Sequence, residues 1–111
     1  MKFATAIVAA AVAAVASAKS TWNFPAEGAC IAACTNTIGK NYFPLYDDVN
    51  SEGPFFFVSL AYSHEYGPEA PADAEAFRSA TQICMLGCSD SEREAYYGYR
   101  MDKMMWYREN K

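Results

Sequence analysis

Four cysteines are the residues of this chain best suited to chemistry, and they form two CxxxC pairs, Cys30/Cys34 and Cys84/Cys88. Thiols at positions i and i+4 of a helix project from one face, about one turn apart. A bridge within a pair is disfavoured, because such neighbours do not easily reach a Cβ–S–S–Cβ dihedral of about 90°. We therefore expect two disulfides between two helices. The nested pairing of Cys30 with Cys88 and Cys34 with Cys84 makes the helices antiparallel and is favoured, whereas Cys30 with Cys84 and Cys34 with Cys88 makes them parallel and stays open.

Zinc binding is the alternative chemistry for four thiols. Zinc sites usually draw their ligands from CxxC pairs, and export exposes thiols to oxidation. The N-terminus indicates export: Lys2 precedes an apolar run over residues 3–15, and small residues at 16–18 suit cleavage before Lys19. The run is shorter than the ~20 residues that a membrane-spanning helix needs. We therefore predict a signal peptide over residues 1–18, a secreted, extracellular product without a membrane anchor, and no metal site.

The remaining residues, 19–111, are enough for one domain with one hydrophobic core. The chain has 13 acidic and 9 basic residues, which gives a formal net charge of −4. Nucleic acids and anionic membranes attract proteins with a basic face. The composition therefore argues against both classes of partner.

Proline and glycine positions predict an all-α fold of three to four helices. Pro25 suits a first helical turn, and Gly39 suits a left-handed residue that ends a helix. The apolar run between Pro54 and Gly67 is rich in aromatic residues and so also fits a strand, but its flanking residues favour a helix. The predicted helices span residues 25–38, 54–66, 72–87 and 90–108, with the two cysteine-bearing helices cross-linked.

The twin CxxxC spacing resembles the plant α-hairpinins, which are antimicrobial or protease-inhibitor peptides, and the small twin-CxxxC chaperones of the mitochondrial intermembrane space. Both families use nested bridges across an antiparallel helix pair, so the resemblance supports that pairing here. Both separate their motifs by a short loop, whereas the segment between Cys34 and Cys84 has room for another helix. The Ala- and Val-rich leader before a short acidic chain is similar to the small secreted proteins of filamentous fungi that are grouped as effector candidates.

The single histidine, His64, is the natural starting point for a catalytic site. A hydrolase would pair it with Glu65 or Glu69 and use Ser59 or Ser63 as the nucleophile. Adjacent residues on a helix point in different directions, so His64 and Glu65 do not form a dyad by themselves. We predict a structural or surface histidine, no catalytic residue and no cofactor.

The last predicted helix follows Ser89, which fits a capping box with Glu92. The helix is apolar on nearly all sides, so it either lies within the core or keeps one face for a partner. Tyrosine, methionine and tryptophan are frequent at protein interfaces. The predicted interaction surface consists of Tyr97, Tyr99, Met101, Met104, Met105, Trp106 and Tyr107.

These features predict a small secreted binding protein without enzymatic activity, whose partner is another protein or a host surface. The alternative is a carrier of a small apolar ligand, held between the aromatic-rich segments 55–62 and 96–107. A small secreted hydrolase ranks third, because the chain shows no nucleophile and base in a familiar pattern.

Overall fold

The computed structural model describes residues 21–111, and the predicted signal peptide, residues 1–18, lies outside the described residues. The described part is all-helical and contains four helices: α1 (Ala29–Tyr42), α2 (Phe56–His64), α3 (Ala74–Met85) and α4 (Asp90–Asn110). This confirms the predicted fold class. None of these four helices has the length and apolar character that crossing a lipid bilayer requires.

Two disulfides clamp the start of α1 to the end of α3. Cys30 is bonded to Cys88 with the Cα atoms 5.7 Å apart, and Cys34 is bonded to Cys84 with the Cα atoms 5.8 Å apart. The nested pairing is thus confirmed, and the helices run antiparallel. The second CxxxC pair is not wholly helical, however, because α3 ends at Met85 and Cys88 lies in the short turn before α4.

The predicted ends of the first helix are wrong. Pro25 lies outside α1, which begins only after Gly28. Gly39 does not end the helix, since α1 continues to Tyr42. A small residue is needed at position 39 for another reason: the ring of Tyr46 packs directly on the helix backbone there.

The segment predicted as helix 54–66 is confirmed as a helix, although it is shorter at both ends. Phe56 and Leu60 are buried on the side that faces Tyr107 of α4, whereas Phe57 and Ala61 are only partly buried. α2 thereby packs on the inner face of α4, and it also contacts α3.

Aromatic and aliphatic side chains form the core in three clusters. Ile31 and Met85 pack around the disulfides between α1 and α3. Tyr46, Tyr62 and Phe77 form the second cluster, in which the loop after α1 folds back between α2 and α3. The third cluster joins α2 to α4. Because α4 contacts both α1 and α2, one of its faces is fixed inward and the opposite face is left to solvent.

Candidate functional site

Helix α4 begins with a cap that the sequence predicted in part. The Ser89 hydroxyl accepts a hydrogen bond from the backbone N–H of Glu92 at 3.2 Å, as expected for an N-cap. The Glu92 carboxylate does not return to the Ser89 backbone as a full capping box requires. It reaches instead to α1, where its Oε1 accepts a hydrogen bond from the N–H of Ile31 at 3.2 Å. Glu92 therefore satisfies a free backbone donor at the start of a different helix.

The outward face of α4 carries a stripe of three large side chains, Tyr97, Met101 and Met105. They are 42%, 63% and 50% exposed, and they recur every four residues, so they share one face of the helix. Arg100 borders this stripe and donates a hydrogen bond to the hydroxyl of Tyr66, which is itself 43% exposed. We call Tyr97, Met101 and Met105 the Tyr–Met stripe.

The other residues of the predicted interaction surface lie elsewhere. Tyr99 is exposed but turns toward Phe24, with the ring centroids 6.1 Å apart, and Met104 is half-buried. Trp106 is partly buried and packs edge-to-face on Trp22 with the ring centroids 5.0 Å apart.

Tyr107 is the clearest correction to the predicted surface, since it is only 5% exposed and belongs to the core. Its hydroxyl donates a hydrogen bond to Oε1 of Glu65 at 3.0 Å, and the same oxygen accepts one from Nζ of Lys111 at 2.6 Å. The hydrogen bond from Lys111 is the main reason that the pKa of Glu65 is lowered, and the bond from Tyr107 adds to it. Tyr107 therefore ties α4 to the end of α2.

Two of the residues considered for a hydrolase, Ser59 and Glu65, have hydrogen-bond partners in other parts of the fold. The Ser59 hydroxyl is fully buried, accepts a hydrogen bond from the N–H of Asp47 and donates one to the carbonyl of Phe55, both at 2.8 Å. His64 is buried, and burial is the main cause that lowers its pKa to about 3, with the positive charge of Lys103 contributing. Since Glu65 is bonded to Tyr107 and Lys111, these side chains join elements of the fold.

A buried ion pair, Glu27 with Lys103, is the feature that sequence reasoning missed. Each side chain is only 7% exposed, and Oε2 of Glu27 lies 4.0 Å from Nζ of Lys103. Burial raises the pKa of Glu27 and lowers the pKa of Lys103, while the attraction between the two charges opposes both shifts. Helical spacing from Tyr96 and Tyr107 to Lys103 could have placed the lysine on the inward face, but no local signal identified Glu27 as its partner.

Two surface depressions are lined by residues of α4 and of the segment that precedes α1. A cleft of about 250 Å³ lies between residues 25–28 and α4, with Glu27 and Lys103 in its wall. A shallower groove of about 480 Å³ is lined mainly by apolar and aromatic side chains, among them Trp22, Phe56 and Trp106. The indole N–H of Trp106 has no hydrogen-bond partner among residues 21–111.

No family model, curated protein or solved structure matches this chain. Within the part that the structure describes, no three His, Cys, Asp or Glu side chains come together in a way that could hold a metal ion. The function of the chain must therefore be inferred from its surface, chiefly from the two faces of α4.

Proposed function

We propose that this chain is a small secreted binding protein, without enzymatic activity, that contacts another protein through the Tyr–Met stripe of α4. The observation that carries the proposal is the exposure of Tyr97, Met101 and Met105 together on one helix face. Methionine adapts its shape to a partner, and tyrosine offers a large apolar area with a polar end. A rigid helix that presents both side chains is suited to a protein partner.

Isolated exposed apolar residues are normal on protein surfaces, so the arrangement matters more than the number. Ile83 and Leu86 are even more exposed, at 70% and 67%, but they lie at the end of α3 and in the turn after it. The stripe on α4 differs because it extends over more than two helical turns. This contrast also supplies a matched control for the experiment.

Secretion belongs to the same proposal. Two disulfides that involve all four cysteines are compatible with an oxidising, extracellular environment. Expression in a secreting host and N-terminal sequencing of the product from the medium tests it. We expect Lys19 as the first residue, and retention of residues 1–18 in the released protein would contradict the prediction.

The test of binding compares two double variants, Met101→Glu/Met105→Glu and the control Ile83→Glu/Leu86→Glu. Each introduces two charges at exposed positions, so neither is expected to unfold the protein. A partner identified by cross-linking in the extracellular fluid is expected to bind the wild type and the control alike, and the stripe variant at least tenfold more weakly. Equal binding of both variants would contradict the proposal that the partner binds through the Tyr–Met stripe.

A carrier of small apolar molecules is the second candidate, and the aromatic groove around Trp22 and Trp106 favours it. The volume of the groove lies within the range of small-molecule sites, although the groove is open on one side. We expect a carrier to gain thermal stability with a fatty acid, to lose that gain in Trp22→Ala and to keep it in Met101→Glu. No stabilisation of the wild type by fatty acids or sterols would exclude this candidate.

A further inference from the structure

The buried pair of Glu27 and Lys103 has fewer contacts than two buried charges usually require. A separation of 4.0 Å between Oε2 and Nζ is too long for a hydrogen bond. Oε1 of Glu27 accepts only a long hydrogen bond of 3.3 Å from the Thr35 hydroxyl. The Lys103 ammonium lies 5.8 Å from the ring centroid of Trp22 and 5.5 Å from that of Tyr96, and it makes no hydrogen bond to any described residue.

Buried charges are stable only when they are paired closely and hydrogen-bonded. Burial raises the pKa of Glu27 and lowers that of Lys103, and in both cases it outweighs the attraction between the two charges. Both side chains nevertheless line the same cleft of about 250 Å³, together with Tyr96 and Tyr99. A negative and a positive group therefore stand side by side in the wall of a cleft that is open to a ligand.

We propose that this cleft is a binding site for a small zwitterion of the α-amino acid type. The ligand's carboxylate pairs with the ammonium of Lys103, and its ammonium pairs with the carboxylate of Glu27. Its side chain lies against the rings of Tyr96 and Tyr99, which favours an aromatic or aliphatic amino acid. The cleft is smaller than the usual site for a drug-sized molecule, and this size also fits an amino acid.

Charge disfavours ligands that carry a single charge. A molecule with only a negative charge would gain Lys103 but would be repelled by Glu27 and by Glu92, which also lines the cleft. A molecule with only a positive charge would be attracted by Glu27 and Glu92, but it would be repelled by the ammonium of Lys103 and would leave that charge without a partner. A zwitterion alone places an opposite charge against each member of the buried pair.

The first test of the zwitterion site is an NMR titration of the wild-type protein at pH 7 with three ligands. Each ligand carries one phenyl group, and the three differ in their charges. L-phenylalanine carries both charges, phenethylamine lacks the carboxylate and 3-phenylpropionate lacks the ammonium. We expect L-phenylalanine to shift the amide signals of residues 26–28 and 95–103 with a dissociation constant of about 1 mM or lower. Each singly charged analogue should bind at least tenfold more weakly. The absence of shifts with L-phenylalanine, or equal binding of the three ligands, would overturn the proposal.

Two variants then assign the charges. Glu27→Gln should weaken L-phenylalanine binding at least tenfold and leave 3-phenylpropionate binding unchanged or stronger. Lys103→Met should also weaken L-phenylalanine binding at least tenfold, and it should leave phenethylamine binding unchanged or stronger. Glu94→Gln, at an exposed position of α4, is the matched control and should bind as the wild type does. If either variant fails to fold, the three-ligand comparison on the wild type still decides the outcome. Loss of L-phenylalanine binding in the control as well would also contradict the assignment.

Discussion

The ring of Tyr46 lies so close to the backbone of α1 that a β-carbon at Gly39 would stand 2.5 Å from the Cγ atom of Tyr46. Cγ is the rigid base of the ring and cannot move aside as a flexible chain end could. Tyr46 is also only 2% exposed and packs among Tyr62 and Phe77. The loop after α1 can therefore fold back on its own helix only because residue 39 has no side chain.

We predict that Gly39→Ala destabilises the protein, although alanine is the better helix former. The overpacking should lower the free energy of unfolding by about 1–3 kcal/mol. The control is Gly98→Ala in α4, where a β-carbon would meet nothing within 4 Å. This substitution should raise the free energy of unfolding by about 0.5–1 kcal/mol. Urea unfolding measures both, and a stabilising Gly39→Ala would show that Tyr46 is not held against the helix.

The carboxylate of Glu92 acts as a cap for α1 from a distance of 61 residues in sequence. We predict that Glu92→Ala lowers the free energy of unfolding by about 1 kcal/mol, as the loss of an N-cap does. The control Glu94→Ala, at an exposed position two residues along α4, should change it little. Equal effects of the two substitutions in urea unfolding would contradict the cap.

Gly28 gives this prediction a second test, because a β-carbon there would lie 2.3 Å from Oε1 of Glu92. Gly28→Ala should push the carboxylate aside and so remove the same hydrogen bond. The double variant Gly28→Ala/Glu92→Ala should then lose less than the sum of the two single losses, with a coupling of about 1 kcal/mol. Additive losses would mean that the two residues act independently.

The disulfides and the number of helices could be predicted because they depend on local spacing. Two cysteines one helical turn apart limit the partners that each can reach, and Ser89 marks a helix start by its own side chain. The role of Gly39 could not be predicted in this way. Glycine is required at position 39 because the ring of Tyr46 packs on the helix backbone there. This contact exists only after the loop has folded back.

The division of α4 into two faces shows the same limit. The sequence is apolar on nearly all sides of this helix, so periodicity alone did not separate Met101 from Tyr107. Tyr107 lies inside with its hydroxyl hydrogen-bonded to Glu65, and Lys103 faces inward toward Glu27. Both partners are distant in sequence and are polar, and an apolar pattern carries no information about them.

The hydrogen bond from Tyr107 to Glu65 predicts a measurable contribution to the packing of α2 on α4. Tyr107→Phe keeps the buried ring and removes only the hydroxyl, so the free energy of unfolding should fall by about 1–2 kcal/mol. Tyr97→Phe removes a hydroxyl from the exposed Tyr–Met stripe and should have almost no effect. A loss in Tyr107→Phe no larger than the loss in this control would show that the hydrogen bond to Glu65 adds nothing to stability.

His64 predicts how stability depends on pH. Its pKa in the folded protein is about 3, below its ordinary value of 6.5, because burial and the charges of Lys103, Arg100 and Arg78 disfavour the protonated ring. The unfolded chain therefore takes up the proton first as the pH falls. The stabilisation is complete above pH 6.5 and is lost between pH 6.5 and 3, with about 2 kcal/mol lost by pH 5.

We predict that His64→Phe removes this dependence, because the chain has no other histidine. The Nδ1 atom of His64 has no hydrogen-bond partner among the described residues, so an apolar ring should be tolerated at pH 7. Urea unfolding of both proteins at pH 7, 6 and 5 measures the difference.

Glu27 responds in the opposite direction, since its raised pKa makes the fold lose stability as the pH rises above 4.5. That contribution is common to the wild type and the variant and cancels in the comparison. A variant whose stability falls between pH 7 and 5 as steeply as that of the wild type would show that His64 is not buried as a neutral ring.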